Sequence, residues 1–209
     1  MRSQWYFDFV SPFSYLQLPK ILALRDRLAV TPVPILFGAV LRHHGQLGPA
    51  EIPGKRAFTY RIARWQAERD GVPLRFPPAH PFNPVAALRL AIAAGSGWEA
   101  IEAVFEHLWR EGRSGDSAAA LADPALRLGI ADPAAAVADP AVKDALRANT
   151  EAAIAAGVFG VPTLAAGGLL FWGNDATPMI VDWLDDPARF AHGDYARLAD
   201  LPVGIERAR

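Results

Sequence analysis

Two short apolar runs, Thr163-Leu164-Ala165-Ala166 and Leu169-Leu170-Phe171-Trp172, are separated only by Gly167-Gly168. A two-residue glycine link closes a β-hairpin, so these runs are expected to be antiparallel. The other end of the chain reads differently. Residues 4–10 are aromatic-rich and predict a strand buried on both faces, and residues 15–28 predict a helix. In that helix Leu16, Ile21, Leu22 and Leu24 form an inward stripe, leaving Lys20, Arg25, Asp26 and Arg27 for solvent. Residues 30–37 predict a second strand, and Pro32 and Pro34 give it an irregular, edge-like start. Strand, helix and strand of these lengths form a right-handed βαβ unit. A parallel beginning and an antiparallel ending exclude a doubly wound sheet, which has no antiparallel pair at its centre.

Between these ends, residues 38–157 carry helical periodicity and no strand signal. Trp98, Ile101, Phe105 and Leu108 share one helical face, and residues 84–94 predict another helix. Asp123-Pro124, Asp132-Pro133 and Asp139-Pro140 each read as a capping carboxylate followed by proline at the first helical position. Gly157 is the expected C-terminal cap of the last of these helices, and residues 178–184 predict a helix after the hairpin. The order βαβ, helical block, ββα predicts an α/β thioredoxin-like fold interrupted by an all-helical insert. Residues 1–37 and 158–209 would form the thioredoxin-like domain and 38–157 the insert.

The 209 residues are 52% apolar, enough to bury a substantial core. Lysine plus arginine (21) nearly balances aspartate plus glutamate (22), so no long-range field recruits nucleic acid or an anionic membrane, and a small-molecule partner is expected. The first apolar segment is too short for a signal or a membrane span, which predicts a soluble cytoplasmic protein. The chain has no cysteine, so any thiol chemistry must use a sulfur carried by a ligand.

Ser11 stands where the first strand hands over to the first helix, in Asp8-Phe9-Val10-Ser11-Pro12-Phe13-Ser14-Tyr15. A hydroxyl there meets unpaired N–H groups and the positive end of the helix dipole, a setting suited to an anion. Ser11-Pro12 reads equally as an ordinary N-cap. Ser14 is the competing hydroxyl and is expected to bond to backbone inside the first turn. His43-His44 carries no metal expectation, because adjacent side chains point apart on a helix and no carboxylate spacing completes a site. His80 reads as a structural loop residue, and Trp65 and Trp109 as core or interface residues.

Together with Gly160-Val161-Pro162-Thr163, Phe171-Trp172-Gly173-Asn174-Asp175, residues 48–53 and residues 76–83, the Ser11 motif resembles the 2-hydroxychromene-2-carboxylate isomerase family. That family is similar to kappa-class glutathione transferases and to DsbA-type thioredoxin-like proteins, and the resemblance covers nearly the whole chain. It implies glutathione as cofactor, an aromatic small-molecule substrate and a homodimer. It implies that Ser11 binds the glutathione thiol in place of a redox cysteine, and that Val161-Pro162 is a cis bond whose backbone pairs with the cysteinyl unit as an added strand. Trp172, Gly173, Asn174 and Asp175 would hold the γ-glutamyl end, backbone N–H groups taking its carboxylate and Asp175 its ammonium group. An Asx cap at this turn is the simpler reading and coexists with that role. Arg42, Ile52, Pro53 and Asn83 are the implied substrate contacts; Lys55 and Arg56 read either as further cations or as an ordinary solvated face.

The implied reaction interconverts 2-hydroxychromene-2-carboxylate and trans-o-hydroxybenzylidenepyruvate, a step of naphthalene-type aromatic catabolism. Thiolate addition opens the ring, rotation follows and elimination restores the thiol. Holding a thiol of pKa about 8.5 as thiolate at neutral pH requires roughly 2.7 kcal/mol. A charged hydrogen bond of about 1.5–3 kcal/mol and a helix terminus of about 0.3–2 kcal/mol are sufficient. Two alternatives stand beside the isomerase. One is a kappa-like transferase or peroxidase acting on other electrophiles, and the other is a non-catalytic thioredoxin-like binding module.

Overall fold

The computed structural model describes residues 3–198 and 200–205. Strand β1 (Ser3–Phe7), helix α1 (Pro12–Ala23) and strand β2 (Val30–Pro34) form the expected βαβ unit, with β1 and β2 parallel. Both strands are shorter than their apolar runs, and α1 starts three residues earlier than periodicity predicts. The reason is Ser11-Pro12: the serine caps the helix and the proline occupies its first turn. The chain leaves β2 at Pro34, and Leu36 caps helix α2 (Phe37–His43) where continued strand was expected.

Helices α3 (Pro53–Arg69), α4 (Val85–Ala93) and α5 (Trp98–Phe105) follow, the last continuing as a π-helical turn at Glu106–Arg110. Helices α6 (Ala122–Arg127), α7 (Pro133–Ala138) and α8 (Pro140–Ala155) complete the helical stretch. Asp132 and Asp139 cap α7 and α8 as expected, accepting from the N–H groups of Ala135 and Ala141. Asp123-Pro124 does not cap: it lies inside α6, and the Asp123 carboxylate pairs with Arg113.

Strands β3 (Thr163–Ala166) and β4 (Leu169–Trp172) form the antiparallel hairpin, and the linking glycines have φ of +59° and +83°. Positive φ at both turn positions is the reason glycine stands there. Helix α9 (Thr177–Asp185) and a short α10 (Gly193–Leu198) close the described chain. The sheet order is β2-β1-β3-β4, with β2 at one edge and β3 antiparallel to β1. The protein therefore has the thioredoxin-like α/β fold. Among the described residues no helix is long and apolar enough to cross a membrane.

Alternation along β1 divides the core. Trp5 and Phe7 face α1, α5 and α9 in one apolar cluster that also takes in Leu88, Phe105 and Trp109. Tyr6 faces the other way, with Val33, Ile35, Val40, Ala153 and Val158 beneath α2 and α8. The Trp109 indole is fully buried and donates to the Phe9 carbonyl at 2.8 Å, tying the helical segment to the chain just beyond β1.

Candidate active site

The register of the sheet brings the candidate residues to one end. Tyr6 pairs with Thr163 and Thr163 with Trp172, so the chain leaving β1, the chain entering β3 and the chain leaving β4 meet there. Hydrogen bonds join the three. Gly173 N–H donates to the Pro162 carbonyl at 2.8 Å, and from α1 the Gln17 amide donates to the Gly173 carbonyl at 2.8 Å. Val161-Pro162 is cis, as is His80-Pro81.

Ser11 is the N-cap of α1. Its Oγ accepts the Ser14 N–H at 3.2 Å, and its own N–H donates to the Asp8 carbonyl at 3.1 Å. The cap uses only the acceptor side of the hydroxyl, so the hydroxyl hydrogen remains able to donate to an anion. Pro12 has no N–H, and Tyr15 N–H returns to the Ser11 carbonyl. Phe13 N–H is thus the remaining first-turn donor beside the hydroxyl. Ser14 differs from expectation. Its hydroxyl is fully buried and bonds to no group among the described residues, where a backbone bond was predicted.

Asp8 is the residue that periodicity did not reveal. Its carboxylate is fully buried; Oδ1 accepts Val10 N–H at 3.0 Å and Oδ2 accepts Phe37 N–H at 2.8 Å. One side chain thereby fastens the Ser11 turn to the start of α2. Burial pushes its pKa up to about 7, against the lowering effect of the backbone N–H groups. His80 supports the same turn from the other side. Its Nε2 lies 2.8 Å from the Val10 carbonyl, which can only accept, so Nε2 carries the hydrogen. Its Nδ1 lies 2.9 Å from the Tyr60 hydroxyl, and burial lowers its pKa.

At the β4 exit, Trp172 is half exposed and rests edge-on against Phe159, with ring centroids 5.2 Å apart. Gly173 has φ +95°, which favours glycine, and Asp175 is exposed. The Asn174 side chain is buried and internally committed: Oδ1 accepts from Lys20 at 2.9 Å and Nδ2 donates to Gln66 at 2.9 Å. Lys20, expected in solvent, also pairs with Asp70 at 2.6 Å. Asn174 therefore locks α1 and α3 against this turn, and the groups of the turn that a ligand could meet are its backbone N–H groups and Asp175.

The candidate substrate residues lie on the helical side. Arg42 is exposed in the last turn of α2. Ile52 caps α3 and uses its carbonyl on Arg56 N–H, while Pro53 occupies the first turn. The Asn83 Oδ1 accepts from Val85 N–H at 3.1 Å, and its Nδ2 points to no partner among the described residues. Arg56 is not a spare cation, since it donates to the His80 carbonyl at 2.6 Å and lies over the Tyr60 ring. The His43 and His44 rings do not point apart as expected; they meet edge-on at 4.9 Å, and His44 Nε2 lies 3.3 Å from the Val158 carbonyl.

The residues fit a bound tripeptide thiol. Val161 N–H and C=O make no hydrogen bond among the described residues, which leaves both able to pair with an extended peptide. Ser11 and Phe13 supply donors for a sulfur anion, and Asp175 supplies a carboxylate for an ammonium group.

Comparison with known proteins places the chain in a family. Residues 4–185 match the DSBA-like thioredoxin domain. A 2-hydroxychromene-2-carboxylate isomerase of Pseudomonas putida is 32% identical over 193 residues, covering 86% of this chain and 92% of the relative. Glutathione S-transferase kappa 2 of Caenorhabditis elegans is 28% identical, covering 88% and 92%. A solved 2-hydroxychromene-2-carboxylate isomerase structure superposes with a TM-score of 0.78 at 26% identity, covering 97% of this chain and 100% of that one. The chain belongs to the DSBA-like thioredoxin-domain family, in the group that holds the 2-hydroxychromene-2-carboxylate isomerases and their kappa-class glutathione transferase relatives.

Proposed function

We propose that this protein is a glutathione-dependent isomerase that interconverts 2-hydroxychromene-2-carboxylate and trans-o-hydroxybenzylidenepyruvate. The observation that carries the reading is Ser11. Its hydroxyl caps α1 through a lone pair and keeps its hydrogen for a thiolate, in a chain that has no cysteine of its own. Bound glutathione would supply the nucleophilic sulfur for reversible addition to the conjugated ring system. The protein supplies the rest. Ser11 O–H and Phe13 N–H stabilise negative charge on that sulfur, Val161 and Asp175 hold the peptide, and Arg42 and Asn83 receive the substrate carboxylate and oxygen.

A second reading is supported by the kappa-class relative: a transferase using the same thiolate on other electrophiles. Turnover of the chromene with substoichiometric glutathione separates the two. The isomerase reading expects many turnovers per glutathione with none consumed, whereas the transferase reading expects stoichiometric loss of glutathione with a model electrophile and no chromene turnover. Absence of glutathione binding at millimolar concentration by calorimetry sinks both.

A further inference from the structure

Helices α2, α4 and α8 frame an open cleft of about 260 Å³ that none of the residues assigned to the glutathione or substrate roles lines. Its walls are aliphatic: Leu36 and Ala39 from α2 and its cap, Val85 from α4, Leu146 and Ile154 from α8. Its rim is cationic. Arg89, Lys143 and Arg147 lie on it against the single carboxylate of Glu151, and Arg147 is already paired with Asp144 at 3.0 Å. Arg89 and Lys143 form no ion pair among the described residues. Arg89 is also under-used as a donor. Its Nε is buried without an acceptor, and its nearest bond is a long 3.5 Å contact from a terminal nitrogen to the Val137 carbonyl. The buried Nε lies beyond a ligand's reach, but the terminal nitrogens, with only that long contact between them, keep donors for which a carboxylate is the matching acceptor.

We propose that this cleft is a binding site for a small apolar monocarboxylate, its ring or chain on the aliphatic walls and its carboxylate on Arg89 and Lys143. The volume lies below the usual range for drug-sized ligands, which restricts the occupant to one or two rings. The Thr150 hydroxyl on the wall is spent internally, accepting Leu36 N–H at 3.0 Å and donating to the Leu146 carbonyl at 2.8 Å, so orientation falls to the arginine. The site is separate from the Ser11 turn but not remote in the chain. Leu36 lines the cleft and the next residue, Phe37, donates to Asp8.

The test is calorimetric titration of the full chain with 2-naphthoate, with 2-naphthylamine as the uncharged control of the same shape. The expected result is saturable binding of the carboxylate, weakened about tenfold or more in Arg89→Met and in Lys143→Glu, and unchanged in Ser11→Ala. Lys143 is exposed, so its variant reads the site without disturbing the fold. Binding of the amine as tight as that of the acid overturns the proposal. So does an affinity lost in Ser11→Ala but kept in both cation variants, since the probe then occupies the catalytic cleft. Absence of any binding at about 1 mM likewise overturns it. None of these outcomes depends on glutathione or on turnover, so the proposal can fail while the isomerase reading stands.

Discussion

A hydroxyl has two faces, and Ser11 divides them between structure and chemistry. Its oxygen caps α1, and in the proposed mechanism its hydrogen meets an incoming sulfur. Ser11→Ala removes both at once. The expected outcome is a loss of turnover of about 100-fold or more, as for removal of a charge-stabilising donor, with a stability loss of only about 1 kcal/mol from the missing cap. Initial rates and a denaturant midpoint measure the two separately, and unchanged turnover would remove Ser11 from the mechanism. Asp8 makes the opposite trade. Its folded pKa, raised to about 7, means that the folded state holds a proton the unfolded chain has already released. The stability contributed by protonated Asp8 is therefore complete below the ordinary carboxylate range and is lost as pH rises toward 7. Asp8→Asn carries no such proton. Relative to the wild type, the variant is expected to gain on the order of 4 kcal/mol between pH 4 and pH 8, read from guanidinium unfolding at both ends. A constant difference across that range would show that Asp8 ionises normally. A lone carboxylate inside an apolar run has no period that announces its burial, which is why Asp8 was legible only as part of a family motif.

At the scale of elements, the features that could be read were those with local causes. The Gly167-Gly168 hairpin, the Asp132-Pro133 and Asp139-Pro140 caps and the βαβ start each depend on a few adjacent residues. The misread features depend on distant partners. Asp123 pairs with Arg113 and does not cap, Lys20 turns from solvent to Asp70 and Asn174, and Leu36 bonds Thr150 on α8 in place of a sheet neighbour. Residues 172–175 show the same limit within the site. Sequence puts Asn174 and Asp175 together as ligand contacts, but only Asp175 is exposed. The two should separate on mutation. Asn174→Ala strands the buried Gln66 side-chain carbonyl and removes one of the two partners of the Lys20 ammonium, which keeps Asp70, and a loss of about 1–3 kcal/mol of stability is expected. Asp175→Ala should leave the unfolding midpoint within about 0.5 kcal/mol of wild type and weaken glutathione binding, seen by calorimetry. Equal effects on stability would mean that the turn acts as a single structural cap.

Across the whole molecule, the sheet and the helical segment share one apolar cluster. Trp5 stacks on Phe7 at 4.7 Å, Phe9 meets Phe105 at 4.6 Å, and the Trp109 indole bonds the Phe9 carbonyl, so aromatic packing runs from β1 through α5 without a polar seam. An insert in sequence need not be a separate unit in energy, because cooperativity follows shared buried surface and not chain continuity. The site depends on that continuity: the Val10 carbonyl just before Ser11 is held by His80 from the loop ahead of α4, and the Phe9 carbonyl by Trp109. Unfolding in guanidinium should therefore give coincident curves by far-ultraviolet circular dichroism, dominated by the helices, and by tryptophan fluorescence. Trp109→Phe sharpens the test, since it leaves the Phe9 carbonyl unpaired and a gap in the cluster, at an expected cost of about 2–4 kcal/mol. Both midpoints should fall together. If only the helical signal moved, the helices would be a separate folding unit, and the turn that presents Ser11 would have to keep its shape without them.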